Sequence, residues 1–173
     1  MSIAALSADV PYCSARSVQG SCAFPSDSDQ RSSDARIAHV SDEHHSVAAA
    51  LLVRDGRVLL CHRHPRRRWY PDVWDIPGGH IDANETPAAA LQRELHEELG
   101  VMVQQIDEVP WRTLTPAADL TLNVWLVDRW DGEIENRAPD EHDEIAWFRP
   151  EEADQLNLVD AFLADLIRTA ASG

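Results

Sequence analysis

Three glutamates lie within five positions of the stretch RELHEELG, which runs from Arg93 to Gly100. Glu94, Glu97 and Glu98 are spaced at i, i+3 and i+4, so in a helix they share one face spread over about 100°. Like charges at this spacing weaken a helix by roughly 0.2–0.5 kcal/mol per pair. The cluster therefore needs solvent or a cation to offset its repulsion.

A solvated acidic surface is the simpler interpretation of this run. A cation site is the alternative, and it is favoured by the Gly78-Gly79 turn upstream. Carboxylate oxygens are hard ligands that suit Mg²⁺ or Mn²⁺ better than Zn²⁺. Because magnesium held by a few carboxylates completes its shell with water and substrate phosphate, this alternative predicts phosphoryl or pyrophosphoryl chemistry.

The helix that would carry these glutamates is predicted over residues 87–99. Thr86 is a suitable N-cap, and Pro87 suits the first helical position. Gly100 stands where helices commonly end. The apolar positions recur at steps of three and four, namely Ala88, Leu91, Leu95 and Leu99.

The remaining pattern predicts an α/β (α+β) sandwich, a mixed sheet with a central helix and a C-terminal helix. Two apolar runs around Asp55-Gly56 predict a hairpin, and WDIPGGHID predicts a short strand that stops at Pro77-Gly78-Gly79. Further strands are expected around 103–115, around 119–130 and in EIAWFR. A final helical region is expected from Pro150 onward.

A basic and aromatic loop, HRHPRRRWYPDVW, lies between the hairpin and the glycine pair. Its arginines could bind phosphate, and Trp69 or Tyr70 could stack on a base. The other interpretation is that the arginines balance nearby acids and the aromatics cover the core. The residues concerned are Arg63, Arg66, Arg67, Arg68, Trp69, Tyr70 and Trp74.

The whole chain of 173 residues is acidic, with a formal net charge of −15, and all 15 of its basic residues are arginine. This charge argues against a stable nucleic-acid complex, which relies on many Lys and Arg contacts. The three cysteines, Cys13, Cys22 and Cys61, form no metal-type pair, so a reduced, cytoplasmic compartment is expected. No apolar run approaches the roughly 18 residues of a membrane span.

The spacing of residues 79–101 resembles the Nudix box. Gly79 is followed after five residues by Glu85 and after seven more by Arg93-Glu94-Leu95. Glu97-Glu98 and Gly100-Val101 then complete the pattern, each after one variable residue. The resemblance extends over about residues 46–170, since the order of strands and helices also resembles the Nudix sandwich. It implies a mixed sheet between helices, with a catalytic loop and helix at 78–99.

This resemblance implies hydrolysis of a nucleoside diphosphate linked to a further group. It implies Glu94, Glu97 and Glu98 as ligands of Mg²⁺, or of Mn²⁺ as a substitute, with the carbonyl of Gly78 as a further ligand. Arg93 would orient the carboxylates, and Glu85 would fix the loop onto the helix. Glu94 is one possible general base.

A second possible base or metal ligand lies outside the box, in DEHDEIAWF. The resemblance suggests Glu141 for this role, with Glu144 as the alternative, and His142 is interpreted as a loop residue.

The phrase WDIPGG is similar to the approach to the box in the MutT-like, nucleotide-sanitising branch, in which Ile76 would line the base pocket. Asn157 lies near the last helix, but not at the position from which that branch reads oxidised guanine. The expected substrate is a nucleoside triphosphate, possibly oxidised or non-standard, cleaved to a monophosphate and pyrophosphate. The alternatives are a nucleotide sugar, a dinucleoside polyphosphate, an RNA 5′ end, or a non-catalytic module that senses nucleotides.

Residues 1–45 show neither strand nor helix periodicity, and they predict a disordered extension or an early start codon ahead of a domain at 46–173. The protein is expected to act on a nucleotide away from membranes, as a monomer or homodimer.

Overall fold

The computed structural model describes residues 44–171. The predicted extension lies outside these residues, except for its last two positions, and His45 already belongs to the first strand. Within residues 44–171, no helix combines the length and apolar character needed to cross a membrane.

Nine strands and three helices follow one another in this described range. The strands are β1 (His45–Arg54), β2 (Arg57–Arg63), β3 (Trp74–Asp75), β4 (Gly78–His80), β5 (Met102–Val103), β6 (Arg112–Ala117), β7 (Leu120–Val127), β8 (Trp130–Asp131) and β9 (His142–Phe148). The helices are α1 (Pro87–Leu99), α2 (Pro150–Ala153) and α3 (Ala161–Ala171).

The predicted hairpin joins β1 and β2. Asp55 and Gly56 both have positive φ, 53° and 68°, which matches the twist of a two-residue hairpin turn. β1 also runs parallel to β7, whereas its other partners are antiparallel, so the main sheet is mixed as predicted.

β1 and β2 separate beyond the hairpin, and the segment from β3 to β4 fills the gap between them. β3 pairs with β2 at Cys61, while β4 pairs with β1 at Ala48 and Ala49. Gly78 and Gly79 therefore lie in a strand inside the sheet. The predicted short strand does end before Pro77, as β3, but the second strand at Gly78–His80 was not predicted; it forms because the chain pairs with β1.

Helices cover both faces of the sheet, which confirms the sandwich. α1 packs Leu91, Leu95 and Leu99 against one face, in one hydrophobic cluster with Ala48, Ala50 and Leu52 of β1. α3 packs Leu163 and Ile167 against the other face, in a second cluster with Ala49 and Leu51. Because successive side chains of β1 point to opposite faces of the sheet, this strand contributes to both hydrophobic clusters.

The bounds of α1 agree with the predicted helix, and its caps are those predicted. The Thr86 hydroxyl accepts a hydrogen bond from the Ala89 N–H at 3.2 Å. Gly100 adopts the left-handed conformation at φ 75°, and its N–H donates to the His96 carbonyl at 3.0 Å.

Two predicted strands are each interrupted. The strand expected at 103–115 is β5 and β6, separated by a loop that contains Pro110, which has no N–H for a ladder. The strand expected at 119–130 ends at Val127, and Trp130 belongs to β8.

The predicted C-terminal helical region is also divided, into α2 and α3. Between them the backbone forms local turns and also bonds to β3. The Trp74 N–H donates to the Asn157 carbonyl at 2.8 Å, and the Val159 N–H donates to the Trp74 carbonyl at 2.9 Å. Tertiary pairing thus overrides the helical period of this segment.

Candidate active site between helix α1 and strand β4

The glycine pair of β4 faces two of the α1 glutamates. The Gly78 N–H donates a hydrogen bond to Glu98 Oε2 at 2.9 Å. A Cβ on Gly79 would clash with the Glu94 carboxylate, so this position admits glycine alone without displacing that side chain. Gly78 has φ 144°, and a Cβ there would meet the backbone of Ala48 and Ala49. Because neither glycine has a side chain, Gly78 packs against the backbone of β1 and Gly79 packs against the Glu94 carboxylate. Both carboxylates therefore lie next to β4.

Glu98 is 4% exposed. Burial raises its pKa well above the usual value, and the Gly78 hydrogen bond opposes this rise only in part. The charges of Glu94, Glu141 and Asp75 raise the pKa further. Burial and the neighbouring negative charges therefore both favour the binding of a proton or a cation by Glu98.

Glu94 is similarly placed, with a side chain 15% exposed. Burial raises its pKa, and a hydrogen bond from Arg93 opposes the rise. Glu97 and Glu141 add to the upward shift. Glu97 itself is open to solvent, with its side chain 59% exposed and 3.4 Å from Arg93 Nη1.

Arg93 joins these acids to the loop that precedes the helix. Its Nε and Nη2 donate to the two carboxylate oxygens of Glu85, at 3.1 and 3.0 Å. Nη1 donates to Glu94 at 2.8 Å, and Nη2 also donates to the His80 carbonyl at 3.0 Å. The Arg93 hydrogen bonds lower the pKa of Glu85. The Arg93 guanidinium thus links β4, the loop between β4 and α1, and α1 itself.

Glu141 approaches the same acids from the loop before β9. Its carbonyl accepts the His64 N–H at 2.7 Å, and its carboxylate lies 2.6 Å from Arg67 Nη1. Its charge raises the pKa values of both Glu94 and Glu98, as expected of a nearby carboxylate. Glu144 lies opposite His62 in the sheet and is exposed.

His142 is not a loop residue, which corrects the prediction. It opens β9, is 3% exposed, and has its Nε2 3.9 Å from Glu98 Oε1. Burial and the charges of Arg63 and Arg67 lower its pKa to about 4, against the opposite effect of Asp143. The ring is therefore neutral at pH 7.

A register shift explains why alternation along the strand did not reveal His142. Ile145 and Trp147 pack on the α1 side, so strict alternation would turn Asp143 to that side. Arg63 pairs with His142, whereas His62 pairs with Glu144, which leaves Asp143 as the extra residue of a bulge. The shift places His142 inward.

Arg63 is engaged inside the basic loop. Its Nε and Nη2 donate to the carbonyls of Tyr70 and Trp69, each at 3.0 Å, and its side chain is only 17% exposed. Its Nη1 lies 3.6 Å from Asp75. These contacts make Arg63 a brace of the loop, and its contact with substrate stays a prediction.

Trp69 and Tyr70 present their rings to solvent, with 65% and 57% of their surfaces exposed. The Arg68 guanidinium lies 5.0 Å from the centre of the Trp69 ring. These aromatics do not cap the core, so the loop offers open faces for stacking.

Ile76 belongs to the second hydrophobic cluster, and its contact with a base stays a prediction. It is 6% exposed and packs in the core under α3. Asn157 Nδ2 donates to the Asp72 carbonyl at 3.0 Å, so this residue is linked to the basic loop.

Among residues 44–171, no group of three or more His, Cys, Asp or Glu side chains has the geometry of a metal site. Glu98 is turned to the Gly78 N–H and Glu97 extends into solvent. The donor set nevertheless fits a hard divalent cation, since it consists of carboxylates, and their charges raise the pKa values of Glu94 and Glu98. Two depressions, of about 340 and 240 Å³, are lined by none of these acids.

Comparison with known proteins supports the same site. The chain matches the model of the NUDIX domain over residues 43–170. It is 32% identical over 126 residues to the CTP pyrophosphohydrolase of Escherichia coli K12, covering 68% of this chain and 90% of that protein. It is 34% identical over 93 residues to the 8-oxo-dGTP diphosphatase of Proteus vulgaris, covering 52% and 80%. A crystal structure of a MutT NUDIX hydrolase from Burkholderia pseudomallei superposes with a TM-score of 0.60 at 27% identity, covering 74% of this chain and 95% of that one.

A mixed sheet between helices, with the acids of α1 against a glycine pair, is the architecture of a hydrolase of phosphoric anhydride bonds. The chain belongs to the NUDIX family, in its MutT-like branch, which confirms the resemblance.

Proposed function

We propose that the protein is a Mg²⁺-dependent pyrophosphohydrolase of nucleoside triphosphates. Water and a nucleoside triphosphate would give a nucleoside monophosphate and pyrophosphate. The observation that carries this proposal is the approach of Glu94 and Glu98 to the Gly78-Gly79 strand, where Glu141 completes an acidic cluster and Arg93 holds Glu94 in place.

The ligands of the cation would be Glu94, Glu97, Glu98 and Glu141, with the carbonyl of Gly78. Mn²⁺ would substitute for Mg²⁺ because it accepts the same hard oxygen ligands. When bound, the cation would neutralise charge that develops on the pyrophosphate oxygens.

The chain's own residues would position the reactants. Arg93 would hold Glu94 in place through its 2.8 Å contact, while Glu94 or Glu141 would take a proton from the attacking water. Burial and the neighbouring charges raise the pKa of Glu94, which favours proton uptake by that carboxylate.

The basic loop would bind the substrate. Arg67 and Arg68 supply guanidinium groups for the phosphates, and Trp69 or Tyr70 supplies a face for the base. Arg63 would fix the loop from beneath. A cytoplasmic location, a monomeric or homodimeric state and the lack of a stable nucleic-acid complex form part of the proposal.

The names of the relatives support a nucleoside triphosphate as substrate. One is a CTP pyrophosphohydrolase, one is an 8-oxo-dGTP diphosphatase, and a third, from Escherichia coli O139:H28, is a nucleoside triphosphatase. The chain shares 28% identity with the third over 117 residues.

A substrate panel tests the proposal. The four ribonucleoside and four deoxyribonucleoside triphosphates, 8-oxo-dGTP, a nucleotide sugar and a dinucleoside polyphosphate would be incubated with protein and Mg²⁺, and products separated by ion-exchange chromatography. We expect a triphosphate to give monophosphate and pyrophosphate, with no turnover in EDTA. Turnover confined to the sugar or dinucleoside compounds would contradict the substrate class. Nucleotide binding without turnover of any compound would support a sensing module.

A further inference from the structure

The two buried polar or charged side chains among the described residues face each other. Glu98 is 4% exposed and His142 is 3% exposed, and Glu98 Oε1 lies 3.9 Å from His142 Nε2. We propose that His142 is a positioning residue, whose Nε2–H holds the Glu98 carboxylate in the orientation that binds the cation. This inference rests on the proposed function, since it concerns the same cation site.

Glu98 is approached by donors from two sides. Oε2 accepts the Gly78 N–H at 2.9 Å, and Oε1 faces the imidazole. A separation of 3.9 Å exceeds a hydrogen bond, so a closure of about 1 Å would complete the second contact. With both donors in place, the carboxylate could not rotate about its last bond.

The surroundings of the ring select its tautomer. Nδ1 is buried and has no hydrogen-bond partner within the described part of the chain. Protonated or not, Nδ1 lacks a partner there, at a cost of about 1–3 kcal/mol in either tautomer, so the choice of tautomer is made at Nε2. A proton on Nε2 would point toward a carboxylate oxygen, which is favourable.

The position of the ring does not depend on Glu98, because the His142 backbone is held on both sides. The His142 N–H donates to the Ala138 carbonyl at 2.9 Å, and the His142 carbonyl accepts from Asn136 Nδ2 at 2.6 Å. The bulge at Asp143 then turns the ring toward α1. The donor is thus set by the fold before a cation arrives.

A matched pair of variants tests the role of the donor. His142→Gln and His142→Met have side chains of similar length, but only Gln carries an N–H. We expect the Mn²⁺ dissociation constant, measured by electron paramagnetic resonance without nucleotide, to rise roughly tenfold or more in the Met variant. It should stay within about threefold of wild type in the Gln variant. His96→Met, on the exposed side of α1, is the control.

Equal Mn²⁺ binding by the Met variant and wild type would overturn the inference, and so would equal losses in both variants. If the Met variant does not fold, ¹⁵N spectra of the wild-type imidazole decide the matter. The inference requires a proton on Nε2, and a proton on Nδ1 contradicts it. Glu97→Gln distinguishes the two proposals. If Glu97→Gln binds Mn²⁺ as tightly as wild type, the cation site itself is refuted. If Glu97→Gln loses Mn²⁺ affinity while His142→Met keeps it, only the role of His142 is refuted.

Discussion

The acidic cluster and the basic loop lie at the same end of the sheet, but they are built in opposite ways. The carboxylates of Glu94 and Glu98 are largely buried and held by backbone and arginine donors. In the loop, Trp69 and Tyr70 are exposed, and Tyr70 has a positive φ of 49°. Chemistry common to a family needs fixed geometry, whereas recognition of a particular base can be supplied by an open loop. The comparison predicts that changes in the cluster affect kcat, while changes in the loop affect KM.

The largest effect is expected from Glu97→Gln, which removes one charge from the cluster. Turnover should fall at least about 100-fold, because a charged ligand of the ion that stabilises the transition state is lost. Steady-state kinetics with saturating Mg²⁺ would measure this. Glu151→Gln, an exposed carboxylate on α2, is the matched control, and equal activities of the two variants would refute the metal-site assignment.

The two neighbouring glycines should respond differently to the same added methyl group. Gly79→Ala displaces the Glu94 carboxylate, so kcat should fall by about tenfold or more, with a small change in stability. Gly78→Ala meets backbone at positive φ, so its free energy of unfolding should fall by about 2–4 kcal/mol. Denaturant unfolding and kinetics on both variants would show it. A reversed pattern would contradict the described placement of β4 against α1.

In the loop, Trp69→Ala should raise KM by about tenfold and leave kcat nearly unchanged, since base stacking contributes about 1–3 kcal/mol. Trp111→Ala is the control, because Arg112 lies over the Trp111 ring at 4.3 Å much as Arg68 lies over Trp69. A drop in kcat for Trp69→Ala alone would mean that the loop takes part in the chemistry.

The cluster should also reduce the stability of the metal-free protein. Because burial raises the pKa of Glu98, its ionised form opposes folding above the folded-state pKa. This penalty disappears as the pH falls toward the unfolded value of about 4.3. In EDTA, Glu98→Gln should therefore unfold at a higher temperature than wild type at pH 8, and the difference should shrink toward pH 5. A constant difference, or a less stable Gln variant at pH 8, would argue against this.

The smallest effect is expected outside both regions. Deletion of residues 1–40 should change kcat and KM by less than about twofold, since the site lies within residues 63–142. A collapse in activity or solubility would show that the N-terminal segment belongs to the domain or its assembly.

Local signals were sufficient to predict α1 and its glutamates. Thr86, Pro87 and Gly100 mark the ends of the helix, and the leucine spacing marks its buried face. The family and its sandwich fold could also be predicted, because all positions of the Nudix box lie within one continuous stretch of sequence.

Pairing between distant segments was what the sequence could not reveal. Gly78-Gly79 is a strand because β1 and β2 separate, which no local pattern encodes. His142 faces Glu98 because of a one-residue bulge, and Arg63 turns inward to the carbonyls of its own loop. Each of these departures lies within or beside the candidate site, where backbone irregularity places side chains that regular alternation would turn away.

The central claim is that the acids of α1 and the carbonyl of Gly78 together bind the divalent cation. Anomalous diffraction from crystals soaked in Mn²⁺ would test it most directly. The account predicts a peak bounded by Glu94, Glu97, Glu98 and the Gly78 carbonyl, absent from crystals of Glu97→Gln. A peak located elsewhere, or one that persists in that variant, would contradict it.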